Sequence, residues 1–236
     1  MPTELLFRAD AYLTETSATV LSVNERGGIV LDRTVFYATG GGQPGDTGTL
    51  VRADGSEIRI ATAVYGEDKT EIVHVPAEGQ GLPTAGEAVT AKLDGFVRLQ
   101  RMRVHTALHL LTVVLPYPVT GGSIGDGEGR LDFDIPDAIE KDEITAKLAE
   151  SIGKHADVTE RWITDDELLA NPELEKTKSV KPPMGSGRVR LVEINGLDLQ
   201  PCGGTHVRNT REIGAVAVTS IEKKGKQNRR VRIALV

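Results

Sequence analysis

Residues 94–116 read DGFVRLQRMRVHTALHLLTVVLP, and this stretch decides the fold. Apolar residues recur at Phe96, Leu99, Met102, Val104, Leu108, Leu111, Val114 and Leu115, close to helical spacing. Asp94-Gly95 precedes the run and Pro116 stops it. The spacing predicts a buried helix over Phe96–Leu115, and the pattern on its two sides differs in kind.

Upstream, short apolar runs are separated by turn material such as Asn24-Glu25-Arg26-Gly27-Gly28 and Ala53-Asp54-Gly55-Ser56. They predict strands at Ala18–Val23, Gly28–Leu31, Thr47–Arg52, Ile58–Tyr65, Glu71–Val75 and Val89–Leu93, with Pro76–Gly86 as a loop. Short strands so spaced suggest a small barrel or a sandwich over residues 1–93. Downstream, Pro116–Gly129 reads as a loop, Arg130–Ile135 as a strand and Asp137–Gly153 as an amphipathic helix with Ile139, Ile144, Leu148 and Ile152 on its apolar side. Asp157–Ile163 reads as a strand, Asp165–Leu169 as a short helix and Lys181–Gly187 as a loop. Strands at Arg188–Ile194, Ile213–Ile221 and Arg229–Ala234 follow. Residues 94–236 therefore read as an α+β domain, helices against an antiparallel sheet.

The helix carries His105-Thr106-Ala107-Leu108-His109, and residues four apart stand on one helical face. Far along the chain comes Pro201-Cys202-Gly203-Gly204-Thr205-His206, in which two glycines permit a tight turn that lets Cys202 and His206 converge. Three of the five histidines and the single cysteine thus fall into two metal-type pairs. His105, His109, Cys202 and His206 form a His3Cys set, which suits Zn2+. Spacing alone leaves open a closed zinc that only staples the domain. His74 reads as a surface or sheet residue. His155 lies near a helix C-terminus, where a cation meets the helix dipole.

Two further stretches stand out. Phe36–Gly48 holds Gly40-Gly41-Gly42-Gln43-Pro44-Gly45-Asp46, a loop that either turns sharply or approaches a ligand; without Gly-Lys-Ser/Thr after it, it is no P-loop. Glu222–Arg232 holds Lys223, Lys224, Lys226, Arg229, Arg230 and Arg232 against one acid. It is either a solvated hairpin or a seat for a phosphate backbone.

Bulk properties narrow the classes. The 236 residues make one large domain or two small ones, and 39% hydrophobic with 26% charged is ordinary for a globular protein. One cysteine excludes an internal disulfide and fits a reducing compartment. No apolar run reaches the roughly 18 residues of a membrane span, and the acidic start Met1-Pro2-Thr3-Glu4 is no signal peptide. The expected localisation is cytoplasmic, with no membrane association. A net charge of −6 argues against a broad nucleic-acid coat, though not against a local basic patch. At 4% aromatic, a large stacking platform is not expected.

The motifs His105-Thr-Ala-Leu-His109, Cys202-Gly-Gly-Thr-His206, Phe36-Tyr37…Gly40-Gly-Gly-Gln-Pro44…Asp46-Thr-Gly48 and Arg130-Leu-Asp-Phe-Asp134, in this order, resemble the editing region of alanyl-tRNA synthetase. The chain is too short for an aminoacylation domain and is similar to the free-standing AlaX-type trans-editing proteins of the medium-length class. That resemblance implies a glycine-motif β-barrel over 1–93 followed by a zinc-containing editing domain over 94–236. It implies hydrolysis of the aminoacyl ester of seryl- or glycyl-tRNA carrying the alanine acceptor stem. It implies zinc held by His105, His109, Cys202 and His206, with mischarged alanine tRNA as the partner and no obligate protein partner. Candidate tRNA contacts are Gly40, Gly41, Gly42, Gln43, Lys223, Lys224, Arg229 and Arg230.

Where synthetase editing domains often carry Thr before the second histidine, this chain has Leu108. Alanine is smaller than serine, so size cannot protect the correct product; a site that hydrogen-bonds the serine hydroxyl can reject its analogue by about 10⁴–10⁵. Thr106 and Thr205 are the candidate hydroxyls and the candidate catalytic residues. Two other readings stand beside this one. One is a non-catalytic RNA-binding module with a structural zinc; the other is a zinc hydrolase of small esters or amides.

Overall fold

The computed structural model describes residues 2–176, 187–225 and 227–236. Most of the loop expected at Lys181–Gly187, and Lys226 of the basic stretch, lie outside the described residues. The chain forms two units, Met1–Leu99 and Gln100–Val236.

The first unit begins with β1 (Glu4–Leu5), then β2 (Glu15–Val23), β3 (Ile29–Leu31) and β4 (Arg33–Thr34). β5 (Gly48–Arg52), β6 (Glu57–Tyr65), β7 (Ile72–Pro76) and β8 (Ala88–Leu93) follow. β1 and β4 pair in parallel, and the other six close into a barrel of order β2-β3-β7-β6-β5-β8. Alternation explains the filling. Ala18 and Val20, Ile58 and Ile60, and Val89, Ala91 and Leu93 take every second position of their strands and point into one core with Leu31, Phe36, Leu50 and Ile72. Of the barrel and the sandwich left open by strand spacing, the structure is the barrel.

The second unit continues α1 (Gly95–Val114) and adds β9 (Val119–Ile124), β10 (Glu128–Asp134), α2 (Lys141–Gly153), β11 (Val158–Ile163) and α3 (Asp165–Ala170). β12 (Val189–Ile194), β13 (Asp198–Pro201), β14 (Val216–Lys223) and β15 (Asn228–Leu235) complete it. One sheet has the order β14-β15-β10-β9 and a second β11-β12-β13, all neighbours antiparallel. The architecture is α+β, as the pattern predicts.

Four details differ from the sequence-based expectations. Within Pro116–Gly129, expected as a loop, residues 119–124 form β9: Gly121 and Gly122 pair with Asp132 and Leu131, and a Cβ on Gly122 would stand 2.9 Å from the Leu131 side chain. Glycine there serves close packing rather than a turn. The helix expected from Asp137 begins at Lys141, after an extended Glu140, and leaves Ile139 outside it. Asp198–Pro201 forms a strand that was not expected. Within α1, Phe96 is 72% exposed and not part of a buried face, because the inward position of that first turn belongs to Arg98. Arg98 pairs with Asp46 and donates to Val35 O and Ala11 O, each at 2.8 Å.

Candidate metal centre and active site

α1 presents Met102, His105, Thr106 and His109 along its buried side. Facing it is β13, whose alternate residues Asp198 and Gln200 reach α1 directly. His109 Nδ1–H donates to Asp198 Oδ2 at 3.0 Å, and Gln200 Nε2 donates to Thr112 Oγ1 at 3.3 Å. Cys202 follows two residues on, with the same alternation. The turn after it, Cys202-Gly203-Gly204-Thr205-His206, brings His206 back. Ligand atoms of His105, His109, Cys202 and His206 then lie within 4.8 Å of one another. Cys202 Sγ stands 3.4 Å from His105 Nε2 and 3.2 Å from His206 Nε2.

Neighbours outside the cluster hold His109, His206 and the Cys202 turn in place. With Nδ1 committed to Asp198, His109 leaves Nε2 for the cluster. Thr106 Oγ1 donates to Met102 O at 2.9 Å, accepts from Val207 N–H at 3.3 Å, and stands 3.2 Å from His206 Nδ1. A threonine hydroxyl has one hydrogen and two acceptor sites. His206 Nδ1 must therefore donate, and its Nε2 lone pair faces the cysteine. Arg190 Nη1 donates to Cys202 O and Gly204 O, each at 2.8 Å, and its other nitrogens pair with Glu160. Asp198 is in turn held by Lys176 and by Gln200 Nε2 at 2.7 Å.

The electrostatics follow. Burial disfavours the His109 cation, but Asp198 and Cys202 outweigh it and raise the pKa to about 9. Burial disfavours the Asp198 carboxylate, yet His109, Lys176 and Gln200 lower its pKa to about 2. Burial also opposes the Cys202 thiolate, but His105 and His206 bring the thiol well below its ordinary value. His206 is pushed well below the usual histidine range by burial and by His105. A low-pKa thiol with two imidazole nitrogens aimed at it is the donor chemistry of a zinc site, so the residues fit the ion.

The other candidate residues are placed as follows. The Thr106 hydroxyl bonds Met102 O and Val207 N–H and stands against His206 Nδ1. Thr205 is buried beside His206. Gly40 and Gln43 exchange backbone hydrogen bonds of 3.0 and 2.9 Å across Gly41 and Gly42, whose φ values are 57° and 83°. Positive φ at both central positions is the geometry that glycine permits. The tip Gly41–Gly42 is exposed, whereas Gln43 is buried. In the basic stretch, Arg230 pairs with Asp132 at 2.8 Å and Lys224 with Glu222 at 2.9 Å. Arg229 donates to Asn228 O and Pro136 O. Lys223 is exposed. His74 is a buried sheet residue, 2.7 Å from Thr34 Oγ1 and 3.0 Å from Ile29 O. Sequence reasoning missed Asp198, Lys176, Gln200, Arg190 and Glu160, and the signal for the first and third was their alternation with Cys202 along β13.

Two family descriptions match the chain. "tRNA synthetases class II (A)" matches residues 9–96, and "Threonyl and Alanyl tRNA synthetase second additional domain" matches residues 189–232, which hold Cys202 and His206. Both units are therefore of the class found in these synthetases, the unit with the His–Cys cluster as one of their additional domains. An alanine–tRNA ligase of Korarchaeum cryptofilum is 38% identical over 94% of this chain and 25% of its own length. Alanyl-tRNA editing protein AlaX-M of Methanosarcina acetivorans is 36% identical over 99% of both chains, and that of Saccharolobus solfataricus 34% identical over 97% of both. The chain belongs to the AlaX-M family of alanyl-tRNA editing proteins.

Proposed function

We propose that the protein edits alanine tRNA in trans, hydrolysing the ester of seryl- or glycyl-tRNA with the help of zinc held by His105, His109, Cys202 and His206. The observation that carries this reading is the convergence of those four donors in a chain matched end to end by AlaX-M proteins. When bound, zinc would supply Lewis-acid chemistry to an ester carbonyl or a water. The chain's own residues do the rest. Asp198, itself held by Lys176 and Gln200, fixes the His109 tautomer, and Thr106 fixes that of His206. Arg190 clamps the Cys202–Gly204 turn. Cys202 serves as a ligand and not as a nucleophile, since its thiolate is committed to the cluster. Thr106 and Thr205, both buried at the cluster, are the hydroxyls proposed to meet the serine side chain. Lys223, Lys224, Arg229, Arg230 and the Gly40–Gln43 turn, chiefly its tip Gly41–Gly42, offer contacts to the tRNA backbone.

The test is deacylation of serine, glycine and alanine esters of alanine tRNA by wild type, His109→Ala and Cys202→Ala, with zinc content measured in each. Release of serine or glycine by the wild type and its loss with zinc in both variants is the expected result. No release by zinc-loaded wild type would overturn the enzyme reading. One observation favours a second account: four protein donors complete a tetrahedral zinc, as in structural sites. That account predicts unfolding on chelation and no cleavage.

A further inference from the structure

Trp162 is the only tryptophan, and it is 52% exposed on β11, an edge strand. Register places it. Trp162 pairs with Arg190, and Glu160 with Val192. Val192 pairs with Gln200 and Leu191 with Pro201, while Cys202 N–H donates to Arg190 O at 3.1 Å. Directly opposed residues share a sheet face, so Trp162, Arg190 and Cys202 form one row across three strands. The face is the one that meets α1, because Asp198 and Gln200 of the same alternation bond to His109 and Thr112. Strands stand about 4.8 Å apart, which puts the Trp162 backbone about 10 Å from that of Cys202. The residue between them is no barrier of apolar bulk. Arg190 lies down along the row, its guanidinium tied to Glu160 on one side and to Cys202 O and Gly204 O on the other.

A large aromatic is costly to leave half in water: Phe7, Phe36, Tyr37 and Phe133 are buried, and only Phe96, on the first turn of α1, is more exposed than Trp162 among the described aromatic residues. An exposed indole one nucleoside's length from the cluster, on the cluster's own face, has a specific use if the substrate is an aminoacyl RNA. The ester sits on the ribose of the last nucleotide, and the base of that nucleotide must rest somewhere at this distance. Bases of unpaired RNA ends are taken up by stacking on aromatic side chains. We infer that Trp162 is the stacking platform for the 3′-terminal adenine of the substrate, with Arg190 and Glu160 forming the floor between base and ester. This inference rests on the proposed editing function. It needs one ring for one base, which the low aromatic content allows.

The lone tryptophan makes the test direct. Selectively excited emission is followed while uncharged alanine tRNA is added, either intact or lacking its terminal adenosine, and binding of both is measured independently by fluorescence anisotropy. Saturable quenching by the intact tRNA, largely lost without the adenosine, is expected. Equal quenching by both, or none while anisotropy reports binding, would overturn the platform. In deacylation, Trp162→Ala should raise KM by about tenfold with kcat changed less than about threefold, and Trp162→Phe should recover most of the loss. An unchanged KM for Trp162→Ala would overturn the inference and assign the exposed edge to another partner, such as a protein strand. If zinc-loaded wild type cleaves no aminoacyl ester, the editing function fails, and the quenching experiment still decides whether Trp162 meets the terminal base.

Discussion

Asp198 and Thr106 hold the outward Nδ1 atoms of His109 and His206, which leaves Nε2 of each ring on the side of the cluster. Partners of this kind commonly set metal affinity by about 10–100-fold. Asp198→Ala is therefore expected to weaken zinc binding by about that factor, read by competition with a chromophoric chelator, while the fold persists. A second residue-scale outcome concerns His74 in the barrel. Burial lowers its pKa from 6.5 to about 4, against a smaller opposing effect of Ile29 O. The folded value lies below the unfolded one, so the stability of the neutral ring is whole above about pH 6.5 and is lost as pH falls from there towards about 4. The shift corresponds to roughly 3 kcal/mol. His74→Gln should flatten the dependence of denaturant stability on pH in that window. The four cluster residues were legible in the sequence because cysteine and histidine are rare and their spacings are chemical. Asp198, Gln200 and Arg190 were not, because such residues occur on any strand, and only a fold shows which face they take.

Arg98 and Asp46 join the start of α1 to the glycine-rich loop of the first unit, both almost wholly buried. Arg98→Met would strand a buried carboxylate, and such losses cost about 3–5 kcal/mol. A fall of that size in the stability of the barrel is expected, measured by urea unfolding. This pairing also explains why helical spacing was right about the extent of α1 and wrong about its first turn: a periodicity rule counts Phe96 as core and Arg98 as solvent, and the ion pair reverses both. β9 escaped for a related reason. Val119-Thr120-Gly121-Gly122 reads as turn material, but Gly122 is small because Leu131 passes against it. Gly122→Val is expected to destabilise the four-stranded sheet by about 1–3 kcal/mol, the usual cost of overpacking.

Across the whole molecule, no helix among the described residues is long and apolar enough to cross a membrane. The net charge of −6 leaves phosphate attraction to local groups, and much of the basic stretch is already paired with Asp132 and Glu222. A shallow salt dependence of tRNA binding is expected. Lys223→Glu should reduce the slope of log affinity against log salt by about one, and Arg230→Glu by less, because Asp132 already claims that charge. The barrel strands and the α+β class were legible because alternation and helical period are carried by many residues at once, whereas strand order depends on pairings that local pattern does not encode. The supports around the cluster have one more consequence, for exchange. Asp198, Thr106 and Arg190 hold His109, His206 and the Cys202 turn by bonds that owe nothing to an ion. If these bonds suffice to order the ligands as the chain folds, an ion arriving later meets a finished seat. Loading should then be a simple second-order capture without a slow conformational phase, and the same molecule should pass through repeated cycles of stripping and refilling without losing its shape.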